Sequence, residues 1–65
     1  MIDEEKILHR AFVAWRKYCS RMGYIYQQPA NTSYIDSKNV VHLVNINGTL
    51  TKYKYYPRTD RLMMI

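Results

Sequence analysis

Along residues 3 to 22 the apolar positions recur with helical spacing. At 100° per residue, Ile7, Leu8, Ala11, Phe12, Ala14, Trp15, Tyr18, Cys19 and Met22 gather on one arc. Lys6, Arg10, Lys17 and Arg21 gather on another, beside Val13. Asp3 stands where a side-chain oxygen can accept from the first free N–H groups, and Glu4 and Glu5 suit the positive end of the helix dipole. Gly23 follows the last periodic residue, where a helix commonly leaves through a left-handed glycine. The pattern predicts one amphipathic helix over 3–22.

After Gly23 the period shortens to two. YIYQQ, residues 24–28, is aromatic and β-branched and is closed by Pro29, which predicts a first strand, at a sheet edge. ANTS reads as a loop, with a few extended residues at Tyr34 and Ile35. The strongest β signal is VVHLVNI-NG-TLTKYKYY, because Asn-Gly between two β-rich runs favours a tight hairpin. A two-residue turn at Asn47-Gly48 would set Ile46 against Thr49, Val44 against Thr51, His42 against Tyr53 and Val40 against Tyr55. A longer loop with a glycine bulge would shift one strand by a residue and swap its faces; the letters alone admit both. PRTD makes a second turn, and RLMMI reads as a last strand. The fold expected over 1–65 is a single small α+β domain. Its N-terminal helix packs on a three- to four-stranded antiparallel β-meander spanning 24–65. A two-layer unit of this kind lets the wide apolar arc cover one sheet face.

The string WRKY at 15–18 is shared with a family of zinc-dependent DNA-binding domains named for it. There the string lies in a strand followed by cysteine and histidine ligands. Here it lies within the helix, with a single cysteine and no ligand spacing from His9 or His42, so no function is carried over. The order helix–strand–strand–strand resembles the front of double-stranded-RNA-binding domains in order alone, since a second helix is missing. The lack of a two-helix DNA-reading unit argues against sequence-specific reading of the major groove.

Size narrows the field further. A 65-residue chain buries only about 60% of its unfolded surface, and small domains often add a staple or a partner. With Cys19 alone, neither an intrachain disulfide nor a cysteine-built zinc site is available, and a lone thiol suits a reducing compartment. The acidic opening MIDEEK has no apolar run behind it, which does not read as a signal peptide. The expected setting is cytoplasmic, and no cofactor or metal is implied.

Charge is lopsided. Ten Lys and Arg face five Asp and Glu, a net +5. Three of the acids are Asp3, Glu4 and Glu5, so from residue 6 onward the balance is +8. Such a surface attracts nucleic-acid phosphates, anionic lipid headgroups or acidic protein patches, without choosing among them. Lys6, Arg10, Lys17 and Arg21 form a helix stripe with no acid between Lys6 and Arg21. Lys52, Lys54, Arg58 and Arg61 form a second cluster around the last hairpin. KYKYY alternates, so Lys52 and Lys54 share one strand face with Tyr56, while Tyr53 and Tyr55 share the other. Lysine for phosphate and tyrosine for base stacking are the two components of single-strand binding. A half-buried sheet with solvated lysines outside would give the same alternation.

Catalysis finds little in the letters. There is no nucleophile–base–orienter set and, with only Gly23 and Gly48, no phosphate-cradling loop. Cys19 reads as a small buried hydrophobe, and His42 as a cross-strand packing residue. Asp36 and Asp60 read as turn residues, bonded locally. The leading expectation is a non-enzymatic basic module contacting nucleic-acid backbone through Lys6, Arg10, Lys17, Arg21, Lys52, Lys54, Tyr56, Arg58 and Arg61, without strong sequence specificity. The alternative is a protein-interaction module docking on an acidic partner. Self-association through the terminal strand Arg61–Ile65 is also expected, because exposed strand edges recruit strands. A membrane role is not expected, since the sheet accounts for the apolar arc.

Overall fold

The computed structural model describes residues 3–65. Helix α1 spans Glu4–Met22. Asp3 caps it from an extended conformation, its Oδ1 accepting from the Lys6 N–H at 3.2 Å. At the other end Gly23 adopts φ 74°. The Gly23 N–H donates to the Ser20 carbonyl and the Tyr24 N–H to the Cys19 carbonyl, so the last free carbonyls are satisfied by the two-bond glycine exit.

Four strands follow: β1 Tyr34–Ile35, β2 Val40–Asn45, β3 Gly48–Tyr56 and β4 Arg61–Met64. They form one antiparallel meander in chain order, and α1 lies across one of its faces. The expected α+β architecture is therefore the observed one.

Two expectations are corrected. YIYQQ is not a strand: no regular structure occurs between Tyr24 and Ala30, and Tyr24, Ile25 and Tyr26 are exposed. The cause lies in β2, whose outer edge is already occupied. The Ala30 N–H donates to the Val44 carbonyl at 2.7 Å, and the Ser33 hydroxyl accepts from the Val44 N–H at 3.1 Å. Tyr34 and Ile35 pair with His42 and Val41. No ladder position is left on the outer edge of β2 for 24–28, so β propensity there finds no partner on that strand.

The hairpin turn also falls one residue earlier than Asn47-Gly48. Asn45 pairs with Gly48, so the loop residues are Ile46 and Asn47. The Asn45 Oδ1 accepts from the Asn47 N–H at 2.8 Å, an Asx turn that starts the reversal at residue 45. Neither Ile46 nor Asn47 has positive φ; that conformation falls on Gly48 at 122°. The pairing then slips between Leu43 and Val44, with Leu43 opposite Thr51 and Val44 opposite Thr49. Leu50 is the extra, bulged residue. Beyond it His42 meets Lys52, Val41 meets Tyr53 and Val40 meets Lys54. The faces are thus those of the shifted register.

That register is the one that sorts the side chains. Val41, Leu43, Tyr53 and Tyr55 turn toward α1 and form the core with Ile7 and Ala11. Leu8, Phe12, Trp15, Ile35, Leu50 and Leu62 pack around them. The bulge keeps Leu50 with this inner set, and Cys19 is buried as read from the sequence. A register one residue away would have set Tyr53 beside His42 and brought Lys52 and Lys54 beneath the helix, where unpaired ammonium groups are costly.

Candidate nucleic-acid interface

With α1 covering one side of a single sheet, the other side is open. Its occupants follow from strand alternation and pairing. Tyr34 of β1, His42 of β2 and Lys52 of β3 lie side by side in one row. Val40, Lys54 and Met63 form the next, and Tyr56 and Arg61 the row beyond. The Ile65 N–H donates to the Lys52 carbonyl, which extends the first row by one residue.

The aromatic part of this face is ordered. The Tyr34 and His42 rings stack with centroids 4.6 Å apart and planes 12° from parallel. His42 Nε2 bonds to Asp36 Oδ2 at 2.9 Å, and Asp36 Oδ1 accepts from the Lys38 and Val40 N–H groups. The turn carboxylate thus fixes the ring that Tyr34 lies against. The hydrogen bond from His42, followed by that from Val40, holds the Asp36 carboxyl down at about 2. Tyr34 remains 50% exposed and Tyr56 42% exposed.

The cationic part is Lys52, Lys54 and Arg61. The Lys54 ammonium donates to the Lys38 carbonyl, which anchors its stem and places Lys38, a cation the sequence reading passed over, beside the same face. Arg58 lies exposed in the β3–β4 turn. Asp36 is the acid at the margin of this face, and it is committed to His42.

The helix stripe is placed apart from this cluster. Lys6, Arg10, Lys17 and Arg21 belong to the layer on the far side of the sheet, so the nine sequence-derived positions do not form one surface. Arg10 is not a free cation. Its guanidinium pairs with Asp60 Oδ1 at 2.8 Å and the Asp60 carbonyl at 3.0 Å, with its carbon 6.0 Å from the Tyr55 ring centroid. The Tyr55 hydroxyl donates to the same carboxylate at 2.7 Å. Tyr55 first, then Arg10, holds the Asp60 carboxyl below its ordinary value, and that same hydrogen bond, with burial, pushes the Tyr55 phenol up. Burial first of all pushes Tyr53 up as well. Asp60 is therefore a clasp between α1 and the β3–β4 turn, rather than a residue bonded only within its turn. Lys6 lines a groove there with Asp3, Arg10 and Asp60, so acids offset the positive charge. Lys17 and Arg21 are exposed and form no salt bridge among the described residues.

His42 is likewise corrected: it lies opposite Lys52, not Tyr53, and stacks on Tyr34 in the open face. Among the described residues no group of three His, Cys, Asp or Glu side chains could hold a metal ion, and no helix is long and apolar enough to cross a membrane. Comparison with protein-family models, curated proteins and solved structures finds no match.

Proposed function

We propose that this chain is a small, basic, non-enzymatic binding module that contacts nucleic-acid backbone without strong sequence specificity, through the open face of its sheet. The observation that carries the reading is the grouping of Lys52, Lys54 and Arg61 with exposed rings on a sheet face that no other element covers among the described residues. Arg58 and Lys38 add charge at its margins. A face of this make-up recruits phosphate by charge, and its preference among base sequences is weak because lysine and arginine on phosphate carry no sequence information. Lys17 and Arg21 provide a second, weaker phosphate contact on the helix side, and Lys6 and Arg10 contribute least because acids already face them. Cytoplasmic residence fits the single buried thiol. The double variant Lys52→Glu with Lys54→Glu tests the reading. The expectation is loss of oligonucleotide binding with an unchanged circular dichroism spectrum. Unchanged affinity in the folded variant removes the sheet face from the account.

A protein-docking reading is favoured by a different observation. Ile46 at the hairpin tip is 97% exposed and Ile25 is 90% exposed, and Ile25 borders a groove with Trp15, Tyr24 and Leu50. Exposed apolar residues beside a groove suit an acidic protein partner with an apolar contact strip. Pull-down before and after nuclease treatment separates the two: partners lost with nuclease support nucleic acid, and partners retained support the protein. Pairing of two copies through the β4 edge and Ile65 would satisfy the free backbone groups of the edge.

A further inference from the structure

The open face holds more than charge, and its aromatic content bears on which kind of nucleic acid fits. Resting on the reading above, we propose that the occupant is a single strand, with bases stacked at Tyr34–His42 and at Tyr56 while the backbone passes Lys52 and Lys54. Three observations lead there.

The Tyr34 ring already lies parallel to His42 at 4.6 Å. His42 is locked from behind by Asp36, so the pair is preorganised and little side-chain freedom is lost when a base joins it. Tyr56 stands on the same face at the far end of β3, beside Arg61. Two strand spacings across the sheet and four residues along β3 put the two platforms roughly 16 Å apart. Stacked nucleotides advance ~3.4 Å each along one strand, so the face accommodates about five. The cations lie where the backbone must run: Lys52 in the row of Tyr34, Lys54 in the row between, and Arg61 in the row of Tyr56. Ring faces offer nothing to a duplex, whose bases are stacked on one another and show only their edges in the grooves. An unpaired base presents its π face to a tyrosine whatever its identity. Rings and lysines interleaved on one surface therefore favour a strand with free bases.

The experiment is fluorescence anisotropy with a labelled mixed-sequence ten-nucleotide strand and with the same sequence as a duplex, at one low salt concentration. The expected result is tighter binding of the single strand. Tyr34→Ala and Tyr56→Ala each lower its affinity about tenfold and leave duplex affinity unchanged, and Tyr34→Phe and Tyr56→Phe keep wild-type affinity because the ring is retained. Equal binding of strand and duplex overturns the inference while leaving backbone binding standing. So do alanine variants that bind the strand like wild type. Absence of binding to either nucleic acid at this salt concentration overturns both readings together.

Discussion

The hairpin register decides which side of β3 faces the helix, and one pair of substitutions tests it. Tyr53 is 4% exposed and packs against Val41 beneath α1; Tyr56 is 42% exposed on the open face. Removing a buried aromatic ring costs about 3–5 kcal/mol. A chain of this length holds about 3–10 kcal/mol in all. Tyr53→Ala should therefore leave a barely folded protein, whereas Tyr56→Ala should stay within about 0.5 kcal/mol of wild type, as surface changes do. Urea unfolding followed by Trp15 fluorescence measures both. Cys19 gives an independent readout: at 1% exposed it reacts with a thiol reagent only when the structure opens. Its labelling should accelerate by at least two orders of magnitude in Tyr53→Ala and hardly at all in Tyr56→Ala. A larger loss in Tyr56→Ala than in Tyr53→Ala would refute the register and, with it, the composition of the open face.

The remaining predictions concern pH, the turn and assembly. Asp36 titrates at about 2 in the fold and Asp60 is also depressed. The Asp36 contribution is present above the ordinary carboxylate range and is lost as pH falls from about 4 toward 2, and the Asp60 contribution is lost as pH falls below the same ordinary range; acid unfolding monitored by circular dichroism should begin as pH falls below about 4, and His42→Ala should bring the NMR titration of Asp36 back up. Tyr53 and Tyr55 are raised, so their contribution is complete below about pH 10 and disappears as pH rises beyond it; an ultraviolet phenol titration should show two late tyrosines. Gly48→Ala imposes φ 122° on a residue with a Cβ and should cost about 1–3 kcal/mol in urea unfolding, although space for the methyl is free. Sedimentation through the high-micromolar range should show a monomer–dimer equilibrium that Met63→Glu with Ile65→Glu abolishes, and a concentration-independent monomer mass would dismiss pairing through β4.

Much of the fold was legible because its signals are local. Asp3, Gly23 and the apolar arc between them determine α1 within a few residues of chain. Tight reversal near Asn47 was legible too, but its register was not, since it depends on the Asn45 side chain taking over the turn and on Leu50 bulging to reach the core. The same non-local competition undid the strand expected at 24–28: Ser33 and Ala30, neither a strong β former, hold the edge of β2. The site divided along the same line. Tyr56 was placed with Lys52 and Lys54 by alternation within one strand. Tyr34 and His42 were missed because they join the face only through pairing across three strands. Arg10 looked unpartnered because its carboxylate, Asp60, lies fifty residues away in sequence.

The most direct test of the central claim is the salt dependence of single-strand affinity, measured by anisotropy for the wild type and for Lys52→Ala with Lys54→Ala. Three or four cations on the face predict a slope of log affinity against log salt of about −2 to −3, or a loss of about 20- to 50-fold between 50 and 200 mM salt. The double variant should lose about half of that slope. A slope near zero, or one the variant leaves unchanged, would contradict binding through this face.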